Sequence, residues 1–509
     1  MASAEAGVAA GHALTAEAGA AILRDGGTAV DAAIAALLMA CVCEPVLASP
    51  GGGGFATLIV DGQPAVLDFF VAAPGHKSAI EHLDFREVHA DFGTTTQGFH
   101  IGAGAVAIPG FLPGLFSLHQ RFGRVPFKTL AEPAVTAAKD GVVVTGFQAF
   151  LADVVSPILL ASPDAQRLFG DGSGATLKEG VLFCNPELAD ALDAIANDGV
   201  RIATEGEIAA ALLSISEAPA GHVRAQDLAG YEPIWRTPLA MPLGEGMFFT
   251  NPPPSLGGSL AAMMLDHYQL ASQSTANDDG RFLRRAGAID ECDRFWRQAP
   301  EDAARIAAKV DSQWRNGDNH SGGSAISSRG TTHISIIDRA GNAVAATVSN
   351  GEGNGSLVPG CGFMPNNMLG EEDVNPRGFH HWQPDARLAS MMAPSLHVQR
   401  DGGTLVLGSG GSNRIRTAVF QVMASHVLDN LPIDEAVEEP RLHAEKGFLD
   451  IEGGVPEGVS AALQSEFPEN RIWDDRSLYF GGVHALSRTG SGALSGAGDP
   501  RRAGVVVRV

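Results

Sequence analysis

The sequence has few cysteines, few aromatic residues and a deficit of basic side chains. Its 509 residues include five cysteines and no Cys-x-x-Cys pair, which argues against a disulfide framework or a structural zinc site and favours a reducing compartment. We therefore expect a cytoplasmic protein without a metal or an organic cofactor. Lysine and arginine number 35 against 58 aspartate and glutamate, a formal charge of −23, and so acidic a chain repels nucleic acid and anionic lipid.

Long apolar runs and an export signal are also absent. The apolar stretch Ala32–Val42 covers 11 residues, whereas a membrane-spanning helix needs about 20. The N-terminus lacks a basic segment followed by an apolar core, as a secretory signal would have. A composition of 45% hydrophobic and 18% charged residues is typical of a globular chain. We expect neither a membrane partner nor a nucleic-acid partner.

Helical and strand-like patterns alternate along the chain. Two helices are predicted near the N-terminus, Thr15–Arg24 and a second that Thr28 caps and that ends near Cys43. Four glycines at 51–54 precede the predicted strand Phe55–Val60, which implies either a close backbone approach or a left-handed conformation. The mixture of both element types predicts a layered α/β fold.

A change in composition marks the best boundary candidate in the chain. Residues 271–330 are polar and charged and end in a Gly/Ser-rich sequence, so we predict an exposed connector of the kind at which chains are cut. Thr331–Asp338 and Ala343–Ser349 then alternate with period two, which predicts a β-hairpin that begins directly after the connector. A strand at Thr404–Gly408 and a helix over Thr417–Leu428 are predicted further on.

A threonine that begins a strand directly after a glycine is compatible with self-cleavage. The hydroxyl of Thr331 could attack the carbonyl of Gly330, and hydrolysis of the resulting ester would free an α-amine whose ordinary pKa, about 7.7–8.0, suits a general base. The run Gly410-Gly411-Ser412 could direct backbone N–H groups at an oxyanion. Thr347 and Ser349 lie on the returning strand, where they could hydrogen-bond a nucleophile across the hairpin. Taken singly, each pattern is also typical of an ordinary strand start, turn or solvent-facing strand.

Motifs along nearly the whole chain resemble those of one enzyme family, the γ-glutamyltransferase (γ-glutamyltranspeptidase, glutathione hydrolase) family of N-terminal-nucleophile hydrolases. The resemblance rests on the segments GGTAVDAAIA, EPVLASPGGGGF, AVAIPGFLPGL, NPPPSLGGSL, TTHISIIDRAGNAVAAT, PNNMLGEED and GSGGSNRI. It implies a four-layer αββα sandwich and cleavage between Gly330 and Thr331. The products would be a large subunit, 1–330, and a small subunit, 331–509, intertwined in one domain as a heterodimer, with a dimer of heterodimers left open.

The resemblance also implies roles for individual residues. Thr331 would be the nucleophile of both processing and catalysis, and Thr347 matches the threonine of the second strand. Ser349 takes the place of the threonine that supports the nucleophile's amine and hydroxyl. Gly410 and Gly411 lie in the oxyanion-hole pair, with one residue of uncertainty toward Ser412. The implied reaction acylates Thr331 with a γ-glutamyl-type group from a small amide such as glutathione and passes the acyl group to water or an amine.

Several positions depart from the family pattern where the substrate's amino-acid head would be held. Phe70 occupies the place of the arginine that clamps the α-carboxylate, and a phenyl ring cannot replace that bidentate pair. Ser390-Met391 replaces a serine pair, and Met368 replaces an amide. The strand-end asparagine is displaced, which brings Glu352 into this region, and Glu371 could still bind an ammonium group.

These departures predict a pocket more apolar than a glutathione site. They leave open a γ-glutamyl amidohydrolase, an acylase on other amides of the cephalosporin or glutaryl type, and a non-enzymatic binding relative. Arg387, Arg414 and Arg416 could offer another carboxylate partner, although a surface or structural role fits each better. The short stretch between Met368 and Ser390 predicts that a lid loop is absent, which favours hydrolysis over transfer.

Overall fold

Two antiparallel β-sheets face each other at the centre of the molecule, and helices cover the outer face of each. The computed structural model describes residues 5–91, 96–217, 220–272, 280–297, 330–375 and 378–509. One sheet has seven strands and the other has six. The predicted four-layer αββα sandwich is therefore confirmed.

The seven-stranded sheet combines strands from both sides of the Gly330–Thr331 peptide bond. Its strands in spatial order are Val505–Arg508, Gly7–Ala10, Thr331–Ile337, Ala343–Ser349, Gly53–Val60, Gln63–Phe69 and Ile234–Arg236. The predicted hairpin lies at its centre, and its register places Thr331 opposite Ser349. Because the strand at Thr331–Ile337 is flanked by an N-terminal strand on one side, the parts of the chain before and after residue 330 share one hydrogen-bonded sheet.

The six-stranded sheet also combines strands from both sides of the Gly330–Thr331 peptide bond. Its strands in spatial order are Leu494–Gly498, Gly482–Arg488, Thr404–Gly410, Ser395–Gln399, Gly246–Thr250 and Leu239–Leu243. Three smaller sheets lie outside the sandwich: Leu442–Glu445 with Phe448–Ile451 and Asn470–Ile472, Arg86–Asp91 with Thr96–Ile101, and Val142–Val143 with Leu182–Phe183.

The helices form two groups, one for each sheet. Those that share a core with the seven-stranded sheet are Ala13–Arg24, Ala29–Cys43, Phe111–Phe122, Phe127–Asp140, Gly146–Val154, Ser156–Leu159, Pro163–Phe169, Pro186–Asp198, Arg201–Thr204, Glu207–Ser216 and Ala225–Ala229. Those beside the six-stranded sheet are Gly257–Ser272, Arg281–Trp296, Arg414–Met423, Ile433–Glu438 and Glu457–Glu466. Across the described ranges, no helix has both the length and the apolar character needed to cross a membrane.

The predicted N-terminal helices are present, and the second one is buried along its whole length. Thr28 and Asp31 form a capping box at the start of Ala29–Cys43, so the predicted cap is confirmed. Gly19 of the first helix lies so close to the second that a Cβ atom on it would be 3.4 Å from the Cβ of Ala36. This close packing carries Ala29–Cys43 against the sheet and fixes the position of the residue that follows it, Glu44.

Alternation along the hairpin separates two faces. Ile334 and Ile336 pack toward the helices, whereas Ile337 lies between the sheets with Val406 and Leu486 of the six-stranded sheet. Because side chains alternate along a strand, Thr331, His333 and Ser335 share the face of Ile337. The polar end of this hairpin face therefore points into the space between the two sheets.

The four glycines at 51–54 allow the backbone to lie close to the hairpin. A Cβ atom on Gly52 would lie 2.4 Å from the carbonyl oxygen of Ser349, and one on Gly54 would lie 2.3 Å from that of Thr347. None of residues 51–54 has a positive φ. Of the two explanations that the sequence allowed, backbone contact with the hairpin is therefore the one observed.

The predicted exposed connector is wrong for part of its length. Residues Arg281–Trp296 form a helix whose Phe282, Ile289 and Trp296 are buried. Its many charges suggested exposure, but Arg285 is buried between Asp429 and Glu439. Residues 273–279 and 298–329 of that segment lie outside the described residues. Further on, the helix predicted over Thr417–Leu428 begins earlier, as Arg414–Met423, and continues as a π-helical turn, Ala424–Leu428.

Candidate active site

The peptide group between Gly330 and Thr331 is held at two polar atoms. The hydroxyl of Ser349 donates a hydrogen bond to the carbonyl oxygen of Gly330 over 2.5 Å. The N–H of Gly330 donates to Oε1 of Glu352 over 2.7 Å. A Cβ atom at position 330 would lie 2.5 Å from the carbonyl oxygen of Gly351, so the surroundings leave room only for glycine. The predicted cleavage site is thus a tightly fixed peptide with a hydroxyl donor on its carbonyl oxygen.

The hairpin register explains this arrangement. Ser349 is directly opposite Thr331, and both side chains are buried, with 4% of Thr331 and 2% of Ser349 exposed. The Ser349 oxygen also accepts the N–H of Gly351 over 3.0 Å, which fixes the hydroxyl as a donor toward Gly330. The structure therefore brings Ser349 and Thr331 together, as expected, with the Ser349 hydroxyl directed at the peptide carbonyl of the uncut chain.

Thr347 lies two residue pairs further along the hairpin and contacts a histidine. It is opposite His333, and its hydroxyl lies 2.8 Å from Nδ1 of that ring. The other ring nitrogen lies 2.9 Å from Oγ of Ser335. Burial lowers the pKa of His333 well below its ordinary value, so the ring is neutral. The sequence predicted a hydrogen bond between Thr347 and the nucleophile. Among the described hydrogen bonds, Thr347 instead contacts His333.

A buried glutamate fixes the other face of the nucleophile strand. The hydroxyls of Thr332 and Thr15 donate to the two carboxylate oxygens of Glu44, over 2.8 and 2.7 Å. Burial raises the pKa of Glu44 against the opposing effect of these two hydrogen bonds. Sequence reasoning missed Glu44, although its position at the end of a helix, directly before Pro45, was a usable signal. Its contacts tie the helix Ala29–Cys43 to the start of the strand.

The glycine loop lies against the nucleophile. A Cβ atom on Gly410 would be 2.2 Å from the carbonyl oxygen of Thr331, so only glycine permits this approach. Gly410 ends a strand, and the next two residues, Gly411 and Ser412, have φ values of +122° and +57°. The structure therefore brings the predicted oxyanion segment to Thr331, with a left-handed turn directly after the contact.

Two predicted acidic residues converge on the turn after the second hairpin strand. Besides its bond to Gly330, Glu352 donates its own N–H to Oδ1 of Asn367 over 3.0 Å. A Cβ atom on Gly351 would lie 2.0 Å from Oε1 of Glu371, so that carboxylate is in the same cluster. Both glutamates are almost fully buried. Across the described residues, no three His, Cys, Asp or Glu side chains are arranged to hold a metal ion.

Phe70 and Met368 belong to an apolar cluster rather than to an open pocket. Phe70 is 1% exposed and stacks on Phe55, with ring centroids 5.6 Å apart, and Met368 is 2% exposed in the same cluster. The carbonyl oxygen of Phe70 accepts hydrogen bonds from Tyr231 and Arg387. An α-carboxylate clamp is therefore replaced here by packed hydrocarbon and an internally bonded backbone.

The remaining predicted pocket residues have structural contacts. The carbonyl oxygen of Ser390 accepts the N–H groups of Leu256 and Gly257 at the start of a helix, and Met391 packs in the core beside the six-stranded sheet. Ser390 and Met391 thus anchor that helix and its core.

The three arginines considered as substitute clamps are occupied as well. Arg387 donates to the carbonyl oxygens of Phe70 and Glu232, and the guanidinium of Arg416 donates to the carbonyl oxygens of Asn413 and Ala444. Arg414 lies over the ring of Tyr479, 4.1 Å from its centroid. The structural role that the sequence favoured for each is therefore the one observed.

One buried arginine beside the site had not been identified from the sequence. Nη1 of Arg502 would lie 3.2 Å from a Cβ atom on Gly410, the point that also touches the Thr331 carbonyl. Arg502 is 4% exposed. Its segment, GDPRRAG, has two adjacent arginines near the C-terminal end of the chain, but it is far from residues 330–331 in sequence. Only the tertiary fold brings it to the glycine loop.

A four-layer αββα sandwich with this glycine–threonine junction at the head of a central strand defines the class of N-terminal-nucleophile hydrolases. Within that class, the chain belongs to the gamma-glutamyltranspeptidase family, whose model matches residues 15–286 and 297–509. The chain is therefore a hydrolase of this family.

Relatives of two activities are similar over nearly the full length. The glutathione hydrolase proenzyme of Pseudomonas aeruginosa is 30% identical, over 95% of this chain and 91% of the relative. The acylase ACY 1 proenzyme of Pseudomonas sp. (strain V22) is 29% identical, over 98% and 92%. Among solved structures, the cephalosporin acylase from Bacillus halodurans has a TM-score of 0.83 with 21% identity, over 99% of this chain and 96% of that one, and so shares the fold.

Proposed function

We propose that the chain is a self-processing amidohydrolase in which Thr331 is the nucleophile. The observation that supports this most directly is the hydrogen bond from Ser349 to the carbonyl oxygen of Gly330. That oxygen gains negative charge when the Thr331 hydroxyl attacks the carbonyl carbon, so a donor already in place stabilises the transition state. The C–N bond then breaks, the acyl group moves to the threonine oxygen, and water hydrolyses the ester. The products are the carboxylate of Gly330 and the free amine of Thr331.

The second reaction uses the amine released by the first. The α-amine of Thr331 takes the proton of its own hydroxyl, and the oxygen attacks the carbonyl carbon of an amide substrate. The C–N bond of the amide breaks, the amine leaves with the proton held by the α-ammonium group, and the acyl group stays on the threonine oxygen. Water completes the hydrolysis. The loop at Gly410 and Gly411, which lies against Thr331, supports an assignment of backbone N–H groups to the new oxyanion. Subunits 1–330 and 331–509 stay together after cleavage because strands of both are hydrogen-bonded to each other in one sheet.

We further propose that the substrate's acyl group lacks the amino-acid head of glutathione. Phe70 is packed inside an apolar cluster, and Arg387 is occupied by backbone carbonyl groups, so neither offers a clamp for an α-carboxylate. The similarity to an acylase proenzyme is in keeping with this choice. A γ-glutamyl amide is the second candidate, favoured by the buried carboxylate of Glu371 beside Gly351, which could accept an ammonium group.

A pair of neighbouring threonines tests the proposed nucleophile. Thr331→Ala removes the attacking hydroxyl and is expected to leave a single uncut chain that hydrolyses no amide. Thr332→Ala is the matched control, because its hydroxyl faces Glu44 on the opposite side of the strand, and this variant should still be cleaved. Intact mass and release of p-nitroaniline from an acyl anilide measure the two reactions. Amide hydrolysis that survives in Thr331→Ala contradicts the assignment.

A further inference from the structure

Three glycines lie against the Arg502 side chain. Arg502 ends the short turn Pro500–Arg502, and a Cβ atom on Gly482 would lie 2.6 Å from its Cγ and Cδ atoms. The guanidinium then reaches Gly410 and Gly411, where Cβ atoms would be 3.2 Å from Nη1 and 3.4 Å from Nη2. Side chains at these three glycines would press against the Arg502 side chain. The sequence thus keeps a buried positive charge directly beside the loop that contacts Thr331.

The carboxylates around this arginine are occupied by other cations. Asp499 forms ion pairs with Arg441 and Arg501, and it also accepts the N–H of Val483. Glu452 forms an ion pair with Arg501. Arg441 and Arg501 therefore use both carboxylates, and among the described residues Arg502 has no ion pair.

Glu352 also attracts Arg502 electrostatically but is already engaged. One of its oxygens accepts the N–H of Gly330. Burial is the largest cause that lowers the pKa of Arg502, to about 10, which still leaves the group charged at neutral pH. A charge that is removed from water and not paired is costly, and an anion bound beside it offsets that cost.

We propose that Arg502 is a specificity residue that binds a carboxylate on the acyl part of the substrate. The acyl carbonyl would rest against the glycine loop, so a carboxylate further along the acyl chain comes within reach of the guanidinium beside that loop. This assignment rests on the proposed amidohydrolase function and adds to it a substrate class, the amides of dicarboxylic acids.

Two substrates that differ only in charge provide the kinetic test. Glutaryl-p-nitroanilide carries a terminal carboxylate, and its glutaramoyl analogue carries a neutral carboxamide of nearly the same size. In processed Arg502→Gln, kcat/KM for the anionic substrate should fall about 10- to 100-fold, mainly through KM, because a charge-assisted hydrogen bond is lost. The value for the carboxamide should stay within about twofold. Arg476→Gln, at an exposed arginine, is the control and should change neither.

An equal decrease in kcat/KM for both substrates would mean that Arg502 only positions the glycine loop, and this result overturns the proposal. An unchanged kcat/KM for both substrates also overturns it. If Arg502→Gln is not processed, Arg502→Lys, which retains the positive charge, is used in its place. The decrease in kcat/KM for this variant should appear with the anionic substrate alone.

Calorimetric binding of glutarate provides a readout independent of turnover. Processed wild-type protein should bind glutarate, and the Arg502 variants should bind it at least about tenfold more weakly. If the wild-type protein cuts itself but binds no glutarate, only the proposed carboxylate site is contradicted, and the proposed amidohydrolase function is not. A wild-type protein that never cuts itself contradicts the proposed function.

Discussion

At the residue scale, the candidate chemistry depends on how one peptide group is held. Ser349 binds the carbonyl oxygen of Gly330, whereas Thr347, two residues earlier on the same strand face, binds His333. The sequence indicated both hydroxyls as partners of Thr331, because period-two alternation places them on one face. The hairpin register separates them, since only Ser349 is directly opposite Thr331.

Removal of the Ser349 hydroxyl should therefore slow self-cleavage. In Ser349→Ala the carbonyl oxygen of Gly330 loses its donor, and loss of one oxyanion donor costs about 100- to 1000-fold in rate. Intact mass over time after a denatured, uncut chain is refolded measures this rate. Ser335→Ala removes a buried hydroxyl from the same face, bonded to the carbonyl oxygen of His484, and should leave the rate unchanged. Equal rates in Ser349→Ala and the wild type would show that this bond has no part in cleavage.

The Gly330–Thr331 junction and the glycine loop could be predicted from sequence because both are local motifs. Glu44 and Arg502 were missed, since each reaches the site from a distant part of the chain, and only Glu44 had a local signal, its position before Pro45. Phe70 was predicted to make the pocket more apolar, but the sequence could not show that its ring is packed inside an apolar cluster.

At the scale of elements, local signals predicted the hairpin and the N-terminal helices well. Thr28 begins the second helix through a capping box, and alternation delimited both hairpin strands. The helix Arg281–Trp296 was missed because it is rich in charged residues, which normally indicate exposure. Two acidic residues more than 140 positions later neutralise Arg285, and no local pattern reveals such a partner.

Arg285→Ala should lower the free energy of unfolding more than the same substitution at an exposed arginine on the same helix. Its guanidinium binds Glu439 over 2.8 Å and Asp429 over 2.6 Å, and removal of one partner from a buried pair costs roughly 3–5 kcal/mol. Arg294→Ala is the control, because its contacts with Asp290 and Glu291 are exposed and such pairs contribute about 0–1 kcal/mol.

Urea unfolding of both variants, in a Thr331→Ala background that keeps the chain uncut, measures the difference. Similar midpoints for the two variants would contradict a structural role for the buried pair.

At the scale of the whole molecule, the sandwich joins the two sides of the cleavage site into one sheet. The sequence predicted mixed layers, whereas the four-layer order followed from family resemblance, because strand order depends on contacts that periodicity does not encode. The same layered core buries many histidines. Burial lowers the pKa values of His12, His222, His333, His397, His426, His443 and His484.

These histidines predict that the fold weakens in mild acid. Burial lowers the pKa of His484 to about 4, whereas an unfolded histidine titrates near 6.5, so between these values the unfolded chain binds more protons. The free energy of unfolding should therefore fall from pH 6.5 to 4, and His484 alone accounts for on the order of 3 kcal/mol.

Asp499 changes the stability in the same direction, but in a lower pH range. Although burial alone would raise its pKa, Arg441 and Arg501 lower it to about 2, so its contribution to stability persists down to about pH 4 and is lost only below that. Urea unfolding at pH 7 and pH 4.5 should show the decrease caused by the histidines, and His484→Gln should reduce it. Equal stability at both pH values would contradict neutral buried histidines.

The most direct test of the whole account is the intact mass of the purified wild-type protein after incubation at neutral pH. Thr331 held beside a fixed Gly330 carbonyl predicts two fragments, residues 1–330 and 331–509, that remain associated until denatured. The small fragment should begin with a free threonine amine. A stable single chain of 509 residues, or cleavage at any other peptide bond, would contradict the assignment of Thr331 as the self-activating nucleophile.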